Sequence, residues 1–333
     1  MTKNIDKYLN ASSVKLEDWE KVANASLKDK NIKDLEKILD ENIHTKPLYT
    51  IEDIKEDYSL SSRRGLTNNR NQYMPWYICS SIDHSNDSKV LNSRIINELE
   101  RGSGSLELAT FNKESLSSIL NNVDLSLAPV YFKNLKNPMD RIEEYISYLD
   151  IWKSSKQEEP LGGYQIDPIA INLWLKEFSK EKFGKIIQHK DILRETLKID
   201  SEVRSKFPML EIIHFDGSLW NDVGAGLSKE IELIALSFLE VLKHSETNSI
   251  NTQNIYVTIS ANTDFFALIA KIRSLRIIFS NIFKHFDVNG KLHITSRSSS
   301  GIIFKEDPWV NQLRITTAAL ASSIGGVERI VCD

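Results

Sequence analysis

The sequence predicts an eight-stranded α/β barrel, and two features of the chain support this fold class. From about residue 75, short apolar runs alternate with amphipathic helical patterns, as in consecutive βα units around a parallel sheet. Eight such units fill about 260 residues, the usual size of a closed (β/α)8 barrel. An open, doubly wound sheet is the alternative, but its usual glycine-rich phosphate loop does not follow the first strand.

Eight segments have the short apolar character of barrel strands. They are residues 76–81, 105–110, 126–132, 164–168, 210–215, 255–260, 291–296 and 328–332. No helical pattern follows the eighth segment in this sequence, so we expect a truncated chain that lacks the last barrel helix. The predicted barrel domain is 71–333.

Helix-terminal signals separate these strands. Asp87 can cap a helix that runs to Arg101, where Gly102 provides a left-handed stop. An Asp-Pro pair at 307–308 predicts the start of a helix that ends at Gly-Gly 325–326. Asp264 is a third capping candidate, and residues 227–242 and 265–282 each carry one apolar stripe. These helices are predicted to cover the barrel.

The first 70 residues differ from the rest. Residues 17–20 and 34–39 have the pattern of short amphipathic helices, and residues 47–49 that of an extended segment. The segment is too polar to build its own core. We expect residues 1–70 to form an arm that lies across its own barrel or across a partner subunit.

Composition excludes several classes of protein. The net charge of −4 argues against nucleic-acid binding, which usually leaves a basic surface. The N-terminus has no signal-peptide pattern, and no apolar run is long enough for a membrane span, so we expect a cytoplasmic protein. Cys79 and Cys332 lie in apolar runs and are expected to be buried and reduced. No zinc-binding spacing of histidine or cysteine is present.

Catalytic side chains of such barrels follow the carboxyl ends of the strands. His214 and Asp216 lie two apart on the fifth predicted strand, so they could form an acid/base pair on one face. A structurally satisfied polar pair is the commoner arrangement. Arg297 and the serines at 296 and 298–300 follow the seventh strand and could bind a phosphate, or form only a polar loop.

Several blocks resemble the barrel of the methylmalonyl-CoA mutase family in order and spacing. They are Asp-Gly-Ser-Leu-Trp-Asn-Asp-Val-Gly-Ala-Gly at 216–226, Asp-Phe-Phe-Ala-Leu-Ile-Ala-Lys-Ile-Arg at 264–273, Asp-Pro-Trp-Val-Asn-Gln-Leu-Arg at 307–314, and Lys-Pro-Leu-Tyr-Thr at 46–50. The resemblance covers nearly the whole chain. It implies a barrel that encloses an acyl-CoA and a separate C-terminal domain that carries adenosylcobalamin.

The chain departs from the family where catalytic members hold their substrate. A tyrosine and a histidine of the strand-five loop are replaced by Ser218 and Leu219, and a strand-seven His-x-Gln pair by Ser296 and Ser298. Other departures are Asn254, Tyr256 and Thr258 on strand six and Glu328 near strand eight. The Thr-Met-Tyr segment expected after Arg64-Gly65 is absent, as is the D-x-H-x-x-G motif of the cobalamin domain.

With these replacements, the chain resembles the small, non-catalytic subunit of heterodimeric mutases. The implied partner is a large subunit that binds adenosylcobalamin and interconverts methylmalonyl-CoA and succinyl-CoA, a reaction of propionate metabolism. This chain itself is then expected to bind no cofactor or metal, with Arg64, Arg297 and Glu328 as weak candidates for a residual CoA site. The alternatives are an independent barrel enzyme, built around His214, Asp216, Arg297 or Glu328, and a mutase component for another acyl-CoA.

Overall fold

The structure, a computed structural model, describes residues 15–28, 30–40, 43–53, 76–83, 85–109, 116–133, 141–171, 189–244 and 254–332. Its contacts divide the chain into two units, Met1–Ser59 and Leu60–Asp333. Within the described residues, no helix is long and apolar enough to span a bilayer.

The first unit contains a helix and a hairpin. Helix α1 is Leu16–Ser26, and strands β1 (Lys37–Asp40) and β2 (Ile43–Thr45) pair antiparallel. The helix predicted at 34–39 is therefore wrong. Asn31 and Asp34 close one 3-10 turn over Ile32–Leu35, and the backbone at Glu36 is already extended. Residues 37–40 then pair with the next strand instead of continuing the helix.

The second unit is a closed parallel barrel of eight strands, which confirms the predicted fold class. The strands are β3 (Tyr77–Ile82), β4 (Ser105–Leu108), β5 (Val130–Lys133), β6 (Gly162–Ile166), β7 (Leu210–Asp216), β8 (Asn254–Ala261), β9 (Lys291–Ser298) and β10 (Arg329–Val331). Each pairs with its neighbour in the sequence, and β10 closes the ring on β3.

The described helices surround this ring. They are α2 (Ser88–Glu100), α3 (Leu116–Ile119), α4 (Ile142–Lys156), α5 (His189–Lys206), α6 (Gly217–Asp222), α7 (Leu227–His244), α8 (Phe265–His285) and α9 (Pro308–Gly325). Asp87, Asp264 and Asp307 accept hydrogen bonds from the first turns of α2, α8 and α9, as predicted. Gly102 and Gly326 have positive φ angles at the ends of α2 and α9.

Two strand starts differ from the prediction by more than one residue. The segment at 126–129 forms no strand, because Asp124 accepts hydrogen bonds from the backbone and hydroxyl of Ser126 and closes a turn there. Strand β6 begins at Gly162 instead of 164. A Cβ at Gly162 would lie 2.1 Å from the Val130 carbonyl oxygen, so only glycine permits this close pairing of β5 and β6.

The outward faces of the strands form the apolar core with the helices. Phe132 and Tyr164 pack with Tyr145 of α4 on one side of the barrel, and Phe215 packs with Phe238 of α7 on the other. All these side chains are buried. The helices thus hold the strands from outside and leave the barrel interior to the inward-facing side chains.

One buried ion pair lies outside the ring of strands, between two of the surrounding helices. Lys271 of α8 donates to the carboxylate of Glu230 of α7, and both side chains are buried. Ser260 of β8 joins them: its backbone N–H donates to Glu230 over 2.7 Å, and its carbonyl accepts from Lys271 over 2.9 Å. This network fastens two helices to the end of one strand.

Candidate functional site

Three ion pairs cross the barrel interior. They join Arg297 to Glu107, Lys133 to Asp216 over 2.6 Å, and Arg329 to Glu211 over 3.5 Å. The members of each pair belong to strands that are not neighbours, namely β9 and β4, β5 and β7, and β10 and β7. Side chains of non-neighbouring strands meet only through the middle of a barrel. We call these six side chains the interior ion-pair layer.

Glu211 and Arg329 lie near the amino-terminal ends of their strands, on one side of the interior ion-pair layer. Gln165 donates to its carboxylate over 2.8 Å, His214 Nδ1 contacts the same oxygen, and Arg329 lies over the Tyr131 ring at 3.6 Å. Burial alone would raise the pKa of Glu211. The charge of Arg329 and the hydrogen bonds from His214 and Gln165 outweigh burial and lower this pKa to about 2.

Asp216 and Glu107 are the other two carboxylates of the interior ion-pair layer. Burial opposes ionisation of Asp216, but Lys133, His214 and Arg297 hold its pKa well below the usual range. Burial likewise disfavours the charged form of Glu107, and Arg297, Lys133 and Arg329 together lower its pKa. All three interior carboxylates therefore remain ionised and paired in the folded protein.

This arrangement predicts that acid destabilises the barrel. A carboxylate with a lowered folded-state pKa contributes stability above its unfolded pKa and loses it as pH falls through the folded value. We expect the free energy of unfolding to fall as pH drops from about 4.5 to about 2. Urea unfolding at a series of pH values measures this dependence. Asp167 and Glu230, whose pKa values burial raises, contribute in the opposite sense.

Glu211→Gln isolates the contribution of one interior carboxylate to that dependence. Its slope of unfolding free energy against pH should be shallower than that of the unaltered chain below pH 4.5, because one titrating group is gone. Equal slopes would contradict the assignment of a lowered pKa to Glu211.

His214 and Asp216 each have other partners. Both imidazole nitrogens are engaged, Nδ1 with Glu211 and Nε2 with Thr258 Oγ1 over 2.7 Å. Asp216 pairs with Lys133 and accepts from the backbone and hydroxyl of Ser218. The geometry thus favours structurally satisfied polar groups over an acid/base pair at these positions.

The serines at the end of β9 and directly after it are not gathered around one point. The Ser296 hydroxyl lies 2.6 Å from that of Ser322 on α9, outside the barrel, and Ser298 is buried. Ser299 and Ser300 donate to Asn221 and Asp222 of α6. Arg297 points inward to Glu107 instead. These contacts fasten the β9 loop to α6 and do not form a phosphate cradle.

The remaining candidates lie in separate places. Leu219 is half-buried in the short helix α6, next to Ser218. Glu328 precedes β10, at the opposite end of the barrel from the carboxyl ends of the strands, and pairs with Arg276 over 2.8 Å. Arg64 lies outside the described residues. The weak CoA-site candidates that are described are therefore not brought together.

The departures predicted on strand six lie on β8. Tyr256 stacks on His293 with ring centroids 5.0 Å apart, Asn254 bonds the same imidazole, and Thr258 contacts His214. Cys79 is buried, and burial raises its pKa to about 12, whereas Cys332 follows β10 and is exposed, contrary to expectation. Within the described residues, no cluster of histidine, cysteine and carboxylate side chains could hold a metal.

The sequence reasoning overlooked most of the interior ion-pair layer. Glu107, Lys133, Glu211 and Arg329 were not among the candidates. A usable signal existed, because each is a charged residue within or at the end of a predicted strand. Glu107 and Glu211 have apolar neighbours on both sides, and Lys133 and Arg329 have one on one side. Charged side chains in such positions are buried only when they are paired.

Comparison with known proteins gives relatives of one kind. A methylmalonyl-CoA mutase small subunit from Streptomyces virginiae is 21% identical over 88% of this chain and 48% of its own length. One from Propionibacterium freudenreichii subsp. shermanii is 26% identical over 78% of this chain and 41% of its own length. The chain thus matches less than half the length of each.

Among solved structures, a truncated 3-deoxy-D-arabino-heptulosonate 7-phosphate synthase from Thermotoga maritima superposes with a TM-score of 0.41 at 14% identity. The superposition covers 77% of this chain and 73% of the synthase chain.

Residues 156–333 match the sequence model of the family described as methylmalonyl-CoA mutase. That match includes more than half of the chain, with strands β6 to β10 of the barrel. The chain belongs to the methylmalonyl-CoA mutase family.

Proposed function

We propose that this chain acts as the small, non-catalytic subunit of a heterodimeric methylmalonyl-CoA mutase in the cytoplasm. Its partner is a large subunit that binds adenosylcobalamin and interconverts methylmalonyl-CoA and succinyl-CoA. The observation that carries the proposal is the interior ion-pair layer. Lys133 and Arg297, the cations nearest the carboxyl ends of their strands, are paired with Asp216 and Glu107, which supports a structural role for both cations.

The side chains at this end of the barrel support a non-catalytic role for this chain. The Ser218 hydroxyl donates to Asp216, and Gly217 is packed so closely that a Cβ would lie 2.5 Å from Ile234. A serine and a leucine cannot supply the bulk or the protons of the tyrosine and histidine in catalytic members. We therefore assign the cofactor and the chemistry to the partner subunit, and a supporting role to this chain.

The N-terminal unit offers apolar surface for association. None of the residues of α1 is buried, and Val22, Ile38, Ile43 and Tyr49 are exposed. Exposed apolar side chains on a segment with little core of its own favour a role as an arm across the large subunit.

Deletion of residues 1–45 tests the arm. We expect the shortened chain to bind the large subunit at least about tenfold more weakly, which corresponds to roughly 1.4 kcal/mol. Surface plasmon resonance with the immobilised large subunit measures this affinity. An unchanged dissociation constant would remove the arm from the interface.

The proposal as a whole is tested by co-expression with the large subunit from the same source. Size-exclusion chromatography should give a 1:1 complex that turns over methylmalonyl-CoA when supplied with adenosylcobalamin. This chain alone should show no turnover. Activity of the isolated chain, or failure to associate, would contradict the proposal, and activity of the complex on another acyl-CoA only would change its substrate.

A further inference from the structure

A groove runs between helices α3 and α4 on the outside of the barrel. Leu116 of α3 lines it together with one face of α4, which includes Tyr148, Ile151 and Trp152. Its volume of about 440 Å³ lies within the usual range of roughly 300–1,000 Å³ for small-molecule sites. The groove is therefore large enough to hold a small organic molecule.

Trp152 gives this groove a hydrogen-bond donor without an acceptor. The side chain is 6% exposed, and its Nε1–H has no partner within the described residues. Nearly all buried donors are bonded, because a buried N–H without an acceptor has lost its bonds to water and gained none in return. An oxygen atom of a bound molecule would satisfy this indole.

The hydroxyl groups along the groove have no such need. Ser147 donates to the Glu143 carbonyl over 2.8 Å, and Ser155 donates to that of Trp152 over 2.7 Å. Burial raises the pKa of the Tyr148 phenol to about 12, so this side chain is uncharged at neutral pH. An apolar body can therefore cover these side chains without breaking the serine hydrogen bonds or burying a charge on the tyrosine.

A carboxylate lies at the other end of the groove. Among the described residues that line it, Glu144 is the one with a charge. Its Oε2 contacts Arg141 over 3.4 Å, which leaves Oε1 for a second cation. Glu144 precedes Trp152 by eight residues, or about 12 Å along an α-helix. The groove thus has a negative end and a donor end, and it favours a cation over an anion.

We propose that the α3–α4 groove binds a small molecule that carries an ammonium group at one end and a carbonyl acceptor at the other, joined by an apolar chain. The ammonium pairs with Glu144, the chain covers Leu116 and Tyr148, and the carbonyl accepts from Trp152 Nε1. None of these residues belongs to the interior ion-pair layer or to the N-terminal unit. The site is therefore separate from the proposed mutase function, and Glu144 disfavours the phosphates of an acyl-CoA.

A titration with mono-N-acetylated octamethylenediamine tests the site. This probe has an ammonium, eight methylene groups and an amide carbonyl. In ¹H–¹⁵N spectra of the full chain, which has six tryptophans, the Trp152 indole signal is assigned by its loss in Trp152→Phe. We expect this signal to shift saturably, with a dissociation constant of roughly 0.1–2 mM for a molecule of this size. The analogue with a carboxylate in place of the ammonium should bind at least about tenfold more weakly.

Backbone signals of α4 give the affinity of the probe for variants of the chain. Trp152→Phe keeps an aromatic ring but removes the donor, so binding should weaken at least about fivefold. Glu144→Gln should weaken binding at least about threefold, whereas Glu143→Gln, the exposed neighbour that does not line the groove, should not. Ser147→Phe places a ring in the groove from an exposed position and should abolish binding.

Circular dichroism should show native folding of these variants, because each replacement is close in shape or lies at an exposed position. No saturable shift with the probe would overturn the proposal. Binding that both Trp152→Phe and Ser147→Phe leave intact would place the probe elsewhere and overturn it as well. Equal affinities of Glu144→Gln and Glu143→Gln would contradict the contact between the ammonium and Glu144, and with it the proposed class of ligand.

Discussion

Replacing Arg329 with methionine is expected to lower the free energy of unfolding by about 3–5 kcal/mol, the usual loss when one member of a buried ion pair is removed. Arg329 and Glu211 are both buried in the barrel interior. The methionine fills part of the volume but leaves the carboxylate of Glu211 with only His214 and Gln165 as donors. The contact of the guanidinium with the Tyr131 ring is lost as well.

Urea unfolding measures this loss, and a double variant shows its origin. In Arg329→Met with Glu211→Gln, no carboxylate remains to be buried without its cation, so we expect about half of the lost stability to return. If the double variant lost as much unfolding free energy as the two single variants lose together, the two side chains would not be coupled. The interior ion-pair layer would then be a poor description of the barrel.

Lys271→Met should have an effect of similar size from a different place in the fold. Removing the ammonium leaves Glu230 fully buried between α7 and α8, with Ser260 as its remaining partner. Burial raises the pKa of Glu230 and lowers that of Lys271, and the charge of each partner opposes this shift in the other. We expect a loss of about 3–5 kcal/mol, measured by urea unfolding at pH 7.

An exposed lysine provides the control for this prediction. Lys198 and Glu202 form a pair on the surface of α5 at 3.8 Å. Lys198→Met should change stability by less than about 1 kcal/mol, because exposed ion pairs contribute little. A loss in Lys271→Met no larger than in Lys198→Met would mean that the Glu230 carboxylate is not confined as described.

Much of the barrel could be predicted from the sequence because its signals are local. The capping aspartates Asp87, Asp264 and Asp307 lie directly before the helices that they cap, and every predicted strand segment overlaps an observed strand. The wrong helix at 34–39 shows where local signals are insufficient. Its apolar pattern is typical of a helix, but Lys37–Asp40 pairs with Ile43–Thr45 and therefore forms a strand. Pairing of this kind overrides weak helix propensity.

The site could be predicted only in part, because its contacts are not local. Glu107 and Arg297 are 190 residues apart, and their pairing depends on the order and register of strands that the sequence does not state. His214 and Asp216 were correctly placed on one strand, but their partners Glu211, Thr258 and Lys133 were not foreseen. The sequence thus identified which strand was polar but not that its charges pair across the barrel.

We propose that the barrel interior stabilises the fold and does not bind an acyl-CoA. Isothermal titration calorimetry of the isolated chain with methylmalonyl-CoA tests it most directly. We predict no saturable binding, because Lys133 and Arg297 are already paired with Asp216 and Glu107. Saturable 1:1 binding that Arg297→Met abolishes would contradict the claim and indicate that a ligand site remains in the barrel.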